Sequence, residues 1–162
     1  MRLSDLPVFS ELFTAHTDAY VDDLLPASTH RPRVLLVDDH EAALSKFAHL
    51  LETEFQVAGR VTAGLEGVRA ALELGPDVVT MDLSMPDIDG LEATRRIRTS
   101  GSPARIIFLT VHSDSDYVAA ALKAGALGYV LKSRAAQDLV AAIRSALLGE
   151  VFVSRGAEID AQ

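Results

Sequence analysis

The sequence predicts an α/β fold in which five parallel strands form a doubly wound sheet with helices on both faces. Short hydrophobic runs, each long enough for one buried strand, alternate along the chain with segments whose apolar residues recur every three or four positions. The connections between these segments are short, as they are in βα units. Strands that are hydrophobic throughout are typical of parallel sheets, because helices cover both faces of such sheets.

The first half of this pattern contains three strands and two helices. Hydrophobic runs predict strands at Val34–Val37, Gln56–Val61 and Asp77–Asp82, of which the second is the weakest. Helical periodicity between these runs predicts helices at Glu41–Glu54 and Gly64–Leu74. The second helix ends before a Gly-Pro pair, which disfavours its continuation.

The second half contains two further strands and three helices. The strands are predicted at Ala104–Thr110 and Ala126–Leu131, and the helices at Leu91–Arg98, Ser115–Ala124 and Ala135–Leu148. Right-handed crossovers restrict how five βα units connect, and a common solution is the flavodoxin-like strand order 2-1-3-4-5. In that order the switch point, where ligands bind, lies between the first and third strands.

The predicted domain occupies residues 33–150, between an N-terminal extension (1–32) and a C-terminal tail (151–162). We expect the extension to form an amphipathic helix followed by a linker between two prolines. The residues that recur at helical spacing are Leu6, Phe9, Phe13, His16, Tyr20 and Leu24. A frayed polar extension is the alternative.

Composition narrows the class of protein. A chain of 162 residues, 49 % apolar and 23 % charged, fits one globular domain. Its 23 acidic and 15 basic residues give a net charge of −8, which argues against nucleic-acid binding by this chain. We find no membrane-spanning stretch, no secretory signal and no cysteine, so we expect a cytoplasmic protein that does not contact membranes.

Polar residues follow four of the five predicted strands, at the point where each strand ends. Asp38 and Asp39 end the first strand, Asp82 the third, Thr110 the fourth, and Lys132 follows the fifth. The carboxyl ends of parallel strands meet at one edge of the sheet, so we expect these side chains to converge there.

Three clustered carboxylates repel one another, and a cation relieves that repulsion. Oxygen ligands favour Mg²⁺, which takes one or two carboxylates together with waters and phosphate oxygens. One carboxylate then remains free to form an aspartyl phosphate. Taken singly, Asp38 or Asp39 would simply cap a helix, and Lys132 would be a solvated surface lysine. Their joint placement favours a phosphoryl-binding site with Mg²⁺.

Four motifs in the chain resemble those of response-regulator receiver domains of two-component signalling. They are Val-Asp-Asp-His at 37–40, Met-Asp-Leu-Ser-Met-Pro-Asp-Ile-Asp-Gly-Leu-Glu at 81–92, Leu-Thr-Val-His at 109–112 and Gly-Tyr-Val-Leu-Lys at 128–132. The resemblance covers about residues 33–150, and the sequence is most similar to receivers that precede a helix-turn-helix domain.

The resemblance implies a role for each residue of the site. Asp82 would be the phosphoacceptor. The implied Mg²⁺ ligands are Asp39, Asp82, the backbone carbonyl of Ser84 and, through water, Asp38. Lys132 and Thr110 would hold the phosphoryl group, Thr110 and Tyr129 would move on activation, and Ser84 and His112 would tune hydrolysis. The loop Met85–Gly90 is interpreted as a strand-to-helix turn.

Phosphorylation, on this resemblance, would come from a histidine kinase or phosphotransfer protein. It would change the surface of the fourth helix, fifth strand and fifth helix, which would contact a partner or form a homodimer. The protein would then not be an enzyme, beyond catalysing its own phosphorylation and dephosphorylation. An aspartyl phosphohydrolase is disfavoured, because such enzymes place an acid/base aspartate where this chain has Ser84.

Two departures from the receiver pattern are present. Lys132 precedes Ser133 instead of proline, and Val111 is larger than the usual small residue. Only 13 residues follow Gly149, so we expect a stand-alone receiver. The alternatives are the receiver part of a transcription regulator whose DNA-binding domain is absent from this chain, and a receiver-like interaction module that is not phosphorylated.

Overall fold

Six strands form one parallel sheet in the computed structural model, which describes residues 30–158. The strands are β1 (Arg33–Val37), β2 (Gln56–Val61), β3 (Val78–Met81), β4 (Arg105–Thr110), β5 (Gly128–Leu131) and β6 (Phe152–Val153). Their order in the sheet is β2-β1-β3-β4-β5-β6. The predicted order of the first five strands is confirmed.

Five α-helices connect the strands. They are α1 (Glu41–Leu51), α2 (Gly64–Leu74), α3 (Gly90–Thr99), α4 (Ser115–Lys123) and α5 (Ala135–Leu147), and a 3₁₀ turn at Lys132–Arg134 precedes α5. The largest difference from the sequence prediction is at the end of α1. There the backbone N–H groups of Glu54 and Phe55 both bond back to the carbonyl of Leu51, which closes the helix in a turn.

The hydrophobic core has two layers, one on each face of the sheet. In β1, Leu35 and Val37 belong to one buried cluster, whereas Val34 and Leu36 belong to the other. This alternation follows from the two-residue repeat of a strand. The first layer packs mainly against α2, α3 and α4, and the second against α1 and α5. Burial on both faces explains why the strands are hydrophobic throughout.

The sixth strand was not anticipated from the sequence. Phe152 and Val153 pair with β5 in parallel, opposite Gly128 and Tyr129. A strand of two residues has no detectable periodicity, and its pairing depends on the exposed edge of β5. The segment predicted as a tail therefore contributes to the sheet.

The N-terminal helix predicted between Leu6 and Leu24 lies outside the described residues. Within residues 30–158, none of the helices combines the length and the apolar composition needed to cross a membrane.

Candidate functional site

Three aspartates lie directly beyond the ends of two neighbouring strands. Asp38 and Asp39 follow β1, and Asp82 follows β3. These strands pair in parallel, with Val37 opposite Met81, and the backbone N–H of Asp82 donates to the carbonyl of Val37 at 3.1 Å. The sheet topology therefore brings the three carboxyl groups together at the switch point between β1 and β3.

The two carboxylate oxygens of Asp38 have different partners. Its Oδ1 accepts a hydrogen bond of 2.9 Å from the backbone N–H of His40, which is the residue that caps α1. Its Oδ2 lies 2.7 Å from the ammonium nitrogen of Lys132. The Oδ1 bond goes to the N–H of the N-cap residue and not to an N–H of α1 itself, so Asp38 closes a turn before the helix and does not cap it.

Lys132 connects two of the aspartates. Its Nζ lies 2.7 Å from Asp38 Oδ2 and 2.8 Å from Asp82 Oδ2, and only 16 % of its side chain is exposed. Burial alone would lower the pKa of Lys132, but the hydrogen bonds and charges of Asp38 and Asp82 outweigh it and raise this pKa. The lysine is therefore charged at neutral pH. It begins the 3₁₀ turn that follows β5, and all peptide bonds within residues 30–158, including Lys132–Ser133, are trans.

The acidic cluster has the composition of a site for a hard divalent cation. Oxygens of Asp38, Asp39 and Asp82 and a nitrogen of His40 lie within 4.8 Å of one another. Asp39 Oδ1 is buried and accepts no hydrogen bond from the described residues, although His40 Nδ1 approaches it to 3.0 Å. Asp38 Oδ2 is also buried, and its partner is the Lys132 ammonium at 2.7 Å. Buried carboxylate oxygens without hydrogen bonds are costly, and a cation compensates for that cost. The residues present thus fit Mg²⁺, which prefers oxygen ligands.

Thr110 and Tyr129 meet at the backbone of His112. Thr110 is the last residue of β4 and is fully buried, and its Oγ1 accepts a hydrogen bond of 3.3 Å from the N–H of His112. The hydroxyl of Tyr129, also fully buried, donates to the carbonyl of His112 at 2.7 Å. Burial, with smaller contributions from nearby acidic groups, raises the pKa of Tyr129, so its hydroxyl remains a donor at neutral pH.

The side chain of His112 spans the gap between two loops. Its Nε2 lies 2.9 Å from Ser84 Oγ, in the loop that follows Asp82. On its other side the imidazole packs against the ring of Tyr117 in α4, with 4.6 Å between ring centroids. The sequence motifs contain Ser84 and His112, but they give no sign of Tyr117. No motif contains this tyrosine, and its contact depends on how α4 docks.

The loop Met85–Gly90 anchors two helices. The carboxylate of Asp87 accepts hydrogen bonds from the backbone N–H groups of Gly64 and Leu65, at 2.9 and 2.8 Å, and so caps α2. Asp89 caps α3 by accepting from Glu92 N at 2.8 Å. These two contacts agree with the interpretation of the loop as a structural turn. The contact of Asp87 with α2 is not predicted by the sequence.

The fold and this cluster together define a doubly wound α/β domain with an acidic site at its switch point. The sequence profile described as response regulator receiver domain matches residues 34–144. The chain belongs to this family, whose members are signalling proteins.

Curated relatives and solved structures agree with this assignment. The chain is 47 % identical over 120 residues to the transcriptional regulatory protein LiaR of Bacillus subtilis (strain 168), covering 73 % of this chain and 57 % of the relative. It is 42 % identical over 123 residues to the response regulator UvrY of Escherichia coli (strain K12), covering 75 % and 56 %. It therefore spans little more than half the length of these relatives.

Two solved structures extend the comparison. A LuxR-family two-component response regulator from Aurantimonas sp. SI85-9A1 superposes with a TM-score of 0.72 at 38 % identity, covering 76 % of this chain and 89 % of that one. The isolated REC domain of RcsB from Salmonella enterica serovar Typhimurium, in the presence of phosphomimetic BeF₃⁻, superposes with a TM-score of 0.73 at 26 % identity, covering 79 % and 96 %.

Proposed function

We propose that this chain is a signalling switch in which Asp82 accepts a phosphoryl group from a histidine kinase or phosphotransfer protein. The observation that carries the proposal is the position of Lys132, whose ammonium lies within 2.8 Å of carboxylate oxygens of both Asp38 and Asp82. An ammonium held there neutralises charge on the attacking carboxylate and on the incoming group. Phosphoryl transfer requires mainly this alignment and neutralisation.

The proposed metal site uses the acidic cluster. Asp39, Asp82 and the backbone carbonyl of Ser84 would hold Mg²⁺, and Asp38 would support it through water. Support comes from the convergence of the three carboxyl groups and from the buried Asp39 Oδ1, which accepts no hydrogen bond from the described residues. The ion would neutralise negative charge on phosphoryl oxygens as they approach the carboxylates.

In the transfer step, a carboxylate oxygen of Asp82 forms a bond to phosphorus while the bond from phosphorus to the donor histidine nitrogen breaks. The electron pair of the broken bond returns to the imidazole of the donor. Lys132 stays beside Asp82 and holds one phosphoryl oxygen, and the hydroxyl of Thr110 holds another. The backbone of Asp82 is held directly after the β3 ladder by its N–H bond to the carbonyl of Val37, and a fixed nucleophile favours transfer.

The conformational signal would pass through His112. Thr110 Oγ1 accepts from His112 N, and Tyr129 donates to His112 O, so a movement of Thr110 toward the phosphoryl group alters both bonds. The affected segment leads directly into α4. We propose that the surface formed by α4, β5 and α5 then changes its affinity for a partner or for a second copy of the chain.

The downstream role of the whole protein is inferred from the curated relatives. One of them is named a transcriptional regulatory protein, and the chain covers 57 % of it. We propose that this receiver acts in the cytoplasm and controls transcription through a region outside the described residues. We also propose that the receiver itself neither binds DNA nor contacts a membrane. We further propose that it catalyses nothing beyond its own phosphorylation and dephosphorylation.

Binding of beryllofluoride in the presence of Mg²⁺ tests the phosphoacceptor assignment. We expect wild-type protein to bind the analogue only with Mg²⁺, with backbone NMR shifts that extend to Thr110, Tyr129 and α4. The variant Asp82→Ala should not respond, whereas Asp116→Asn, an exposed aspartate of α4, should respond like wild type.

Two results would contradict the proposal. An Mg²⁺-dependent response that persists in Asp82→Ala would place the analogue elsewhere. Wild-type protein that binds neither Mg²⁺ nor the analogue would favour the alternative of a receiver-like interaction module.

A further inference from the structure

We propose that Tyr117 is a positioning residue that slows hydrolysis of the aspartyl phosphate by holding His112 across the entrance to Asp82. This inference rests on the proposed function of Asp82. It adds a residue of α4 to the site, and that residue acts through His112 and does not itself touch the reacting atoms.

His112 is held from three directions. Its Nε2 pairs with Ser84 Oγ at 2.9 Å, its N–H donates to Thr110 Oγ1 at 3.3 Å, and its carbonyl accepts from the Tyr129 hydroxyl at 2.7 Å. The proposed switch alters the two backbone bonds, so after phosphorylation the imidazole is positioned by its side-chain contacts with Ser84 and Tyr117. The side-chain bond to Ser84 then closes the gap between the loops that follow β3 and β4.

Tyr117 supplies the remaining restraint on the imidazole. The two rings lie with centroids 4.6 Å apart and planes tilted by 36°, a geometry in which aromatic pairs attract. Without this contact, one hydrogen bond, to the exposed Ser84, would define the orientation of the imidazole within residues 30–158. Tyr117 therefore selects the rotamer of His112 that reaches Ser84.

Tyr117 also lines a cleft of about 300 Å³ beside the loop that follows Asp82. The cleft is lined by Leu83, Ser84, Met85, Asp89, Leu91 and Tyr117. Hydrolysis of an acyl phosphate needs a water that attacks phosphorus opposite the Asp82 oxygen. Ser84 and His112 stand in the loops that follow β3 and β4, two residues after Asp82 and Thr110. A His112–Ser84 bridge across these loops restricts the approach of that water.

The position of Tyr117 in α4 gives this restraint a consequence for signalling. A partner that shifts α4 also moves the ring of Tyr117 away from His112 or presses it closer. The lifetime of the aspartyl phosphate then depends on what is bound to α4, which links signal output to signal duration.

The test compares how fast the phosphoryl group is lost from Asp82 in the wild-type chain and in variants of Tyr117. Each protein is first labelled at Asp82 with a small-molecule phosphodonor in the presence of Mg²⁺. Tyr117→Ala removes the ring, and Tyr117→Phe keeps it. The Tyr117 side chain is 39 % exposed, so its removal does not open a cavity in the core. We expect Tyr117→Ala to accelerate dephosphorylation about three- to ten-fold, the range that corresponds to loss of one aromatic pair, and Tyr117→Phe to behave like wild type.

A double-mutant cycle with His112→Ala separates positioning from a merely structural role. If Tyr117 acts through His112, the variant carrying both changes dephosphorylates no faster than His112→Ala alone. Additive effects of the two substitutions, or a Tyr117→Ala rate equal to or below that of wild type, would overturn the inference. Failure of wild-type protein both to take up label and to bind beryllofluoride with Mg²⁺, with Asp82→Asn as the reference for labelling, would instead overturn the proposed function.

Discussion

At the scale of single residues, the site depends on how closely α3 approaches the backbone of Asp82, which follows β3. Gly90 begins α3, and its N–H donates to the carbonyl of Leu83 at 2.8 Å. A Cβ atom at this position would lie 2.2 Å from the backbone oxygen of Asp82. Backbone cannot give way as a side chain can, so only glycine fits here.

The substitution Gly90→Ala tests this close approach. We expect a loss of about 1–3 kcal/mol in the free energy of unfolding, as overpacked sites typically show, together with weaker beryllofluoride binding because Asp82 is displaced. The free energy of unfolding is measured by urea denaturation.

Gly59→Ala in β2 is the matched control. Its added methyl would meet only the ends of two flexible side chains, Leu74 Cδ1 at 2.9 Å and Leu35 Cδ1 at 3.3 Å. It should cost less stability and leave analogue binding intact. Equal losses in the two variants would show that the contact with the Asp82 backbone has no special effect.

At the scale of secondary-structure elements, the segment containing β6 is tied to both β5 and α5. Ser154, which follows β6, accepts a hydrogen bond from Leu131 N at 3.1 Å and donates to Asp138 Oδ2 at 2.7 Å. Asp138 also receives the Arg134 guanidinium, with Nε 2.8 Å from its Oδ2. Farther along, the N–H of Glu158 donates to the carbonyl of Ser113 in the β4–α4 loop. This segment thus contacts three of the regions that the proposed switch would move.

The buried carboxylate of Asp138 makes the stability of this region depend on pH. The hydrogen bond from Arg134 lowers the pKa of Asp138 below its ordinary 3.8, against the opposing effect of burial and with help from Ser154. A carboxyl group with a lowered pKa stabilises the folded state above 3.8, and that contribution is lost as the pH falls through the folded-state pKa.

Asp138→Asn tests this dependence by urea denaturation across pH. We expect wild type to be more stable than the variant by about 1–3 kcal/mol near neutral pH, the usual range for hydrogen bonds to charged groups. The difference should shrink as the pH falls below 3.8. Ser154→Ala should also lose stability near neutral pH, because it leaves a buried N–H without its partner. A difference between wild type and Asp138→Asn that stays constant with pH would contradict the assignment.

At the scale of the whole molecule, β6 alters the surface that the proposed switch would present. β6 covers the part of β5 around Gly128 and Tyr129, so these residues no longer form a free sheet edge. A second copy would therefore contact the helices α4 and α5, and would not extend the sheet at those residues. The net charge of −8 also opposes self-association through long-range repulsion.

A homodimer of this kind should form only in the activated state. We expect the wild-type chain with Mg²⁺ and beryllofluoride to shift from monomer toward dimer in sedimentation velocity, and added salt to strengthen the shift by screening like charges. Asp82→Ala should remain monomeric under the same conditions. A wild-type chain that stays monomeric at every concentration, with and without the analogue, would rule out the homodimer.

The sequence by itself determined the doubly wound sheet and the meeting of Asp38, Asp39, Asp82 and Lys132. Strands buried on both faces must be hydrophobic, and the residues that follow them must share one edge of a parallel sheet. These features follow from local patterns in the sequence, so they could be predicted without knowledge of the tertiary structure.

Only the tertiary structure decided the remaining features, namely the two-residue β6, the capping of α2 by Asp87 and the contact of Tyr117 with His112. Asp87 lies 23 residues from Gly64 in the chain, and Ser84 lies 28 residues from His112. Such contacts leave no periodic trace in the sequence, because they depend on how loops and helices dock once the sheet has formed. The physical reason is that burial and alternation are properties of a segment, whereas these hydrogen bonds and ring contacts belong to pairs of residues that only the packed fold brings together.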